Sequence, residues 1–397
     1  MLDRLCVRRH RRFDIESPLN LGQLAEEMIF YGDVRLIADR GVLSQLIVQA
    51  GPELLIALIE EGYLRITYVE GGYGFITDNT GTDHEIHKPT DFKVEGAMEF
   101  ENAALPALEI ATGSRRSRSR RLMTRLARSI ESESTRPEVI QAMIEDLNNP
   151  QYIEAVIPAI IRSAAPNAVL PHHLEFEVSQ SGDAFTTKTN LNLRAINNEF
   201  HKTVPETFMS FTPATLLSAA MEACTDLSYA SDNGAELSVD PMASAVMSTK
   251  LEGIVARATN LPNEVSIFQA RLFKANDIAA AVNSGVRSLE DVLQLLRKAT
   301  RFRQWMADQA DDVGLLAQYY EATTKRTWIE TLPAKIARWS ILGGGGLIAT
   351  LMGVPGVPLA LGSLGFGAAD SLFLEKLVRG WRPDQFVDGT LRPFLDE

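Results

Sequence analysis

From Trp339 to Ala369 the chain runs for 31 residues without a charge, and nine of them are glycine: Gly343 to Gly346, Gly353, Gly356, Gly362, Gly365 and Gly367. No other stretch limits the fold so strongly, because so much uncharged chain must be covered either by the rest of the protein or by lipid. A helix crossing a bilayer needs about 20 apolar residues and two full passes about 40, so the length suits one kinked pass or a re-entrant hairpin. Pro355 and Pro358, following Gly353, remove backbone donors and push the residues before them out of helical geometry, which divides the segment into two short helices. In the first, Gly345, Ala349 and Gly353 recur at four-residue spacing and give one face small enough for close packing against a neighbouring backbone.

Trp328, Lys335, Arg338 and Trp339 precede the segment, and Lys376, Arg379, Trp381 and Arg382 follow it. Aromatic and basic residues at both ends anchor a membrane element at the headgroup level, and two basic flanks on the cytoplasmic side favour the hairpin. Two other readings fit the same residues: a helical hairpin buried in an α domain, and a flexible ligand loop. Each glycine weakens a helix by about 1 kcal/mol relative to alanine, which counts against a simple span through Gly343–Gly346. No Gly-Lys-Ser or Gly-Lys-Thr follows the glycines, so a phosphate-cradling loop has the least support.

A formal net charge of -12 excludes a surface basic all over, while leaving room for a local basic site. Cys6 and Cys224 are the only cysteines, which excludes a disulfide framework and a cysteine-based zinc motif and implies a reducing cytoplasm. Arg8, Arg9, Arg11 and Arg12 are followed by no apolar run of the secretory type. A cytoplasmic protein attached to the inner membrane through residues 339–369 is therefore expected. The expected fold class is α+β: residues 1–92 a small α/β or winged-helix-like unit, 93–170 helical, 171–330 a strand hairpin with a helical domain, and 331–397 the glycine-rich segment.

In the first region Asn20 caps a helix to Phe30, Asp33–Ala38 reads as a strand, and helices follow over Val42–Gln49 and from Pro52 to Gly62. Tyr63–Val69 and Tyr73–Thr77 read as strands around Gly71-Gly72. In a winged helix the third of these helices would read DNA, yet it carries Glu53, Glu60 and Glu61 and no basic residue, which repels phosphate. In the α/β alternative the strands Asp33–Ala38 and Tyr63–Val69 lie parallel, and Asp39 stands at a strand's carboxyl end, where open α/β sheets bind ligands. The run Ile37-Ala38-Asp39-Arg40-Gly41-Val42-Leu43 resembles the opening of a PIN-like nuclease domain. That resemblance implies Asp39 as a divalent-metal ligand; the local reading makes it a helix cap. Asp83-His84-Glu85-Ile86-His87 has metal-binding side chains but lacks a third or fourth ligand and reads as a polar loop, and His172-His173 lacks further ligands in the same way.

Seven arginines crowd the stretch Ser114–Ile130: Arg115, Arg116, Arg118, Arg120, Arg121, Arg125 and Arg128. On a helix Arg118, Arg121, Arg125 and Arg128 share a face, with Leu122, Leu126 and Ile130 beside them. Arginine forks match phosphate oxygens, so Arg115, Arg116, Arg118, Arg121, Arg125 and Arg128 are the candidate ligand-binding set for a nucleotide or short oligonucleotide. An anionic membrane surface, or neutralisation by acidic residues of the same chain, are the competing uses.

Further on, Thr135–Glu138 reads as a capping box opening a helix to Asn148, a helix kinked at Pro158 covers Tyr152–Ser163, and Leu174–Ser179 with Phe185–Thr189 read as a hairpin. Helices are expected over Thr212–Tyr229, Asp240–Thr259, Ser288–Asp308 and Val313–Lys325. No nucleophile elbow or zinc-protease helix occurs, and no cofactor is implied.

The expected function joins these parts: a homo-oligomeric, pore-forming membrane effector, gated by a nucleotide or oligonucleotide on the arginine helix, with Trp339, Gly345, Ala349, Gly353, Pro355, Pro358 and Trp381 as its membrane element. In outline it is similar to bacterial effectors that arrest or kill phage-infected cells. The alternatives are a metal-dependent nuclease centred on Asp39 and a soluble scaffold.

Overall fold

Leu5, Cys6 and Val7 lie at the centre of the molecule, as the middle of the first strand. The computed structural model describes residues 4–8, 19–70, 73–78, 85–91, 99–134, 136–206, 210–233, 235–239, 241–258, 270–271, 276–308, 338–342, 346–348, 386 and 390–396. In chain order these form β1 (Arg4–Arg8), α1 (Leu21–Phe30), β2 (Asp33–Ala38), α2 (Arg40–Ala50), α3 (Pro52–Glu60), β3 (Arg65–Val69), β4 (Tyr73–Asp78), β5 (Glu85–Asp91), α4 (Phe100–Ala111), α5 (Arg116–Ser129) and β6 (Glu131–Glu133). They continue with α6 (Pro137–Leu147), α7 (Pro150–Ala164), β7 (Phe176–Ser181), β8 (Ala184–Thr189), α8 (Leu193–Phe200), α9 (Pro213–Asp232), β9 (Glu236–Ser238), α10 (Pro241–Ala258) and β10 (Ala270–Arg271). The last are α11 (Asn276–Asn283), α12 (Leu289–Lys298), α13 (Thr300–Asp308), β11 (Arg338–Leu342), β12 (Gly346–Ile348) and α14 (Arg392–Asp396).

The main sheet has the strand order β10-β11-β9-β1-β2-β3-β6, with β12 pairing β11. Five consecutive strands, β9, β1, β2, β3 and β6, are parallel. Leu36 of β2 pairs with Ile66 of β3, so this pair is a parallel crossover and not the antiparallel wing of a winged helix. The parallel pairing expected in the α/β alternative is present, whereas Tyr73–Asp78 pairs with β5 in a separate sheet and does not return on β3.

The alternation of side chains distributes the core over both faces of the sheet. Leu5, Val7, Val34, Leu36, Ala38, Ile66 and Tyr68 face one side and share a core with α1 to α5 and α11 to α13. Cys6, Ile37, Val69, Leu237 and Val239 face the other and pack with α6, α7, α9 and α10. The chain winds outward through β1, β2, β3 and β6 with the connecting helices on one face, then crosses back to place β9 beside β1. That is a doubly wound arrangement, and the winding reverses between β1 and β9.

A second, antiparallel sheet has the order β4-β5-β8-β7 and packs into the second core through Phe75, Phe176 and Phe185. The expected hairpin of β7 and β8 is present, turning at Gly182 with φ +63°. Residues 85–87, read as loop, belong instead to β5. His87 is fully buried there and bonded through Nε2 to Thr187 Oγ1 at 2.9 Å and through Nδ1 to Thr77 Oγ1 at 3.1 Å.

The helix expected over Ser288–Asp308 is divided at Ala299 into α12 and α13, and its capping box at Ser288 and Asp291 is formed. Helix α6 is capped at Arg136 without a side-chain bond, and Thr135, where the capping box was expected, lies outside the described residues. Phe386 stacks on Phe302, with centroids 4.8 Å apart, and Leu391 joins the first core, so residues near the C-terminus return to the N-terminal sheet. Arg303 holds this corner by donating to the carbonyls of Tyr31 and Gly32 at 2.9 and 2.8 Å.

Where a helix was expected around Gly345, the described residues on either side are strands: β11 runs against β9, with Trp339 opposite Leu237, and β12 folds back on β11. Glycine in a helix interior costs about 1 kcal/mol relative to alanine, which accounts for the extended backbone found at Gly346. The expected helix over Val313–Lys325 lies outside the described residues.

Candidate functional site

Helix α5 forms as expected, and its burial shows how its two faces are used. Leu122, Leu126 and Ile130 are buried against the first core, together with Ser119, whose hydroxyl lies 2.8 Å from Thr112 Oγ1. From Thr112 to Ile130 there is no acidic residue, so any neutralising charge must come from elsewhere. Helix α3 supplies part of it: Arg118 Nε donates to Glu53 Oε1 at 3.0 Å, and Arg125 Nη2 to Glu60 at 2.8 Å. Each pair sits seven residues from the next on its own helix, so the two helices carry matched charges two turns apart. Arg297 of α12 holds the remaining acid of this group, donating from Nε to Glu61 at 2.9 Å and keeping that carboxyl below its ordinary pKa.

Arg118 and Arg125 are therefore already engaged. Arg115, Arg116, Arg120, Arg121 and Arg128 are exposed, and make no ion pair among the described residues. The candidate set thus divides: Arg115, Arg116, Arg121 and Arg128 remain available, Arg118 and Arg125 brace α5 on α3, and Arg120 joins the available group.

A second cluster stands where doubly wound sheets bind ligands, at the carboxyl end of β1 beside β9. Arg8 Nε lies 3.6 Å from Asp226 Oδ1, which is 1% exposed, and its guanidinium lies 5.9 Å from the centroid of Tyr229. Burial works to lower the Arg8 pKa, but the charges of Asp226, Asp39, Tyr229 and Glu222 outweigh it and hold it above its ordinary value. Cys6, beneath them, is pushed up to about 12 by burial and by Asp226, so it is a neutral thiol. The sequence signal for this cluster was Arg8 directly after the apolar Leu5–Val7 run; the acidic partner lies too far along the chain to be matched by eye.

Asp39 caps α2 by accepting from Val42 N at 2.8 Å. Among the described residues no three His, Cys, Asp or Glu side chains are grouped to hold a metal ion. His172 and His173 are exposed. A third polar group, missed in the sequence, joins α6, α9 and α10: Asp146 accepts from Lys250 and from Cys224 Sγ, the latter at 3.0 Å. Burial raises the Cys224 pKa to about 12, which leaves it a thiol and marks the group as a packing element.

Of the expected membrane residues, Trp339 lies in β11, whereas Gly345, Ala349, Gly353, Pro355, Pro358 and Trp381 lie outside the described residues. Among the described residues no single helix is long and apolar enough to cross a membrane; α2 and α3 together pass by length and composition, bent by 104°. The chain matches no protein-family model, no curated protein and no solved structure.

Proposed function

We propose that the chain is a homo-oligomeric effector that binds a phosphate-bearing ligand on α5 and acts on a membrane through residues 339–369, in the manner of antiphage membrane effectors. The observation that carries the ligand half is the group of exposed arginines on α5 with no ion pair among the described residues, in a chain of net charge -12. An arginine cluster left without acidic partners repels itself, and a bound phosphate relieves that repulsion. The membrane half rests on the uncharged, glycine-rich run with tryptophan and basic residues at both ends.

The test is fractionation between membrane and cytosol, followed by dye release from liposomes with and without added oligonucleotide. Leakage that requires the oligonucleotide and is lost in Gly345→Val or Gly353→Val supports the reading. Protein confined to the cytosol that leaves liposomes intact under both conditions refutes it.

A second reading, a soluble protein with the segment buried, is favoured by the pairing of β11 with β9, which places the start of the segment in the main sheet. Ala349→Asp separates the two: it unfolds the protein if the segment is buried, and leaves the fold intact with activity lost if it enters lipid. The nuclease reading has the least support, since Asp39 is occupied as a helix cap; it requires divalent-metal binding that Asp39→Asn abolishes.

A further inference from the structure

The shape of the α5 surface goes further than its charge and says which kind of phosphate ligand fits it; this step rests on the ligand half of the function proposed above. A small nucleotide is held in a concave pocket that surrounds most of its surface. The exposed side of α5 is instead a ridge, made by Arg116, Ser117, Arg120, Arg121, Thr124 and Arg128, all open to solvent. Arg116 and Arg128 are twelve residues apart, which on a helix is about 18 Å, the axial length of about five phosphates on one strand of a duplex. Arginines spread over that length cannot converge on one nucleotide.

Two more observations narrow the class. Leu122 and Leu126 are 2% and 0% exposed in the protein's own core, so α5 has no apolar face left to insert among lipid chains. The ridge also carries no aromatic side chain on which an unpaired base would stack, and stacking is what single-strand binding surfaces add to their charge. What remains is contact with a line of phosphates.

We infer that the exposed ridge of α5 binds the sugar-phosphate backbone of a nucleic-acid duplex without regard to sequence, through Arg116, Arg120, Arg121 and Arg128. Arg118 and Arg125 take no direct part, because Glu53 and Glu60 hold their guanidinium groups against α3.

Full-length protein is titrated with a labelled duplex of about 20 base pairs at several salt concentrations, with adenosine triphosphate, inorganic triphosphate and anionic phospholipid vesicles as rival probes; three to four phosphate contacts give a slope of log affinity against log salt of about -3. Affinity is expected to be the same for duplexes of unrelated sequence and to fall more than tenfold when Arg116, Arg120, Arg121 and Arg128 are together replaced by Gln. Arg121→Gln alone reduces the slope by about one contact, about 0.9, whereas Arg118→Gln changes it less. Binding of either triphosphate as tight as the duplex overturns this inference but leaves the proposed phosphate sensor standing. Binding to vesicles while the duplex is ignored also overturns it, and failure to bind any of the anions overturns both.

Discussion

Replacing Gly22 with Ala tests whether the late helices really close over the N-terminal sheet. Gly22 is the second residue of α1, and its N–H donates to Asn283 Oδ1 of α11 at 3.0 Å. A Cβ added there would lie 2.7 Å from the Ala279 Cα and closer still to that residue's carbonyl oxygen. Ordinary carbon contacts are about 3.5–4.0 Å, so α11 would have to withdraw by about 1 Å, which forfeits a quarter to a half of the dispersion energy at each contact it leaves. Overpacking of this kind costs about 1–3 kcal/mol, and the intrinsic preference of a helix for Ala over Gly returns at most about 1 kcal/mol. Backbone atoms of a packed helix cannot rotate aside as a side chain does, so the clash wins, and Gly22→Ala destabilises by about 1–2 kcal/mol. Urea unfolding of the full chain reads this as a lower midpoint at unchanged slope. A variant as stable as the parent, or more so, would show that α11 does not lie against α1.

Three further outcomes follow from particular contacts. Because the α3–α5 ion pairs are about half exposed, a double-mutant cycle on Arg118 and Glu53 is expected to give a coupling of about 0.2–1 kcal/mol that shrinks with added salt; a salt-independent or absent coupling contradicts the pairing. Tyr152→Phe removes the buried bond from its hydroxyl to the Ala220 carbonyl, at 2.6 Å, and is expected to cost about 1–1.5 kcal/mol in the same unfolding assay, a neutral result refuting it. Burial lowers the His87 pKa below its ordinary 6.5, so the unfolded chain takes up the proton first; stability from this residue is full above pH 6.5 and is lost as the pH falls below it. A ring titration followed by NMR that places His87 above 6.5 in the folded protein would contradict that direction.

Legibility in the sequence tracked how much of each element's signal is local. Strands β2 and β3 alternate apolar and polar residues beside clear turns, so they and the helices between them were read nearly to their ends. Strand β1 is buried on both faces, as central strands of parallel sheets are, and three apolar residues beside a run of arginines give no period to detect. Edge strand β6 is Glu-Ser-Glu, wholly exposed, and exists only because β3 offers it hydrogen bonds. Strand β5 looked like a loop for a similar reason: its polar residues and Pro89 conceal a strand that β4 and β8 flank. For α5, the amphipathic spacing was local and visible, while the partners that divide its arginines into engaged and exposed sets lie 65 residues away on α3. Arg8 and Asp226 are farther apart still, joined only by the return of the chain across the sheet.

That return also sets a timetable for the nascent chain. The inner edge of β1 can pair with β2 soon after Ile37 leaves the ribosome, but its other edge waits for β9, whose register begins at Leu5 opposite Glu236. At about 5–20 residues per second, that edge stays open for roughly 10–40 s of synthesis. For that interval a central strand of the finished protein is an unprotected edge, with the backbone of Leu5, Cys6 and Val7 unpaired along that side. Newly made chains are expected to need shielding by a holdase until Ser238 has left the ribosome, and substitutions that weaken β9 should lower yield more than they lower the stability of the protein that does fold.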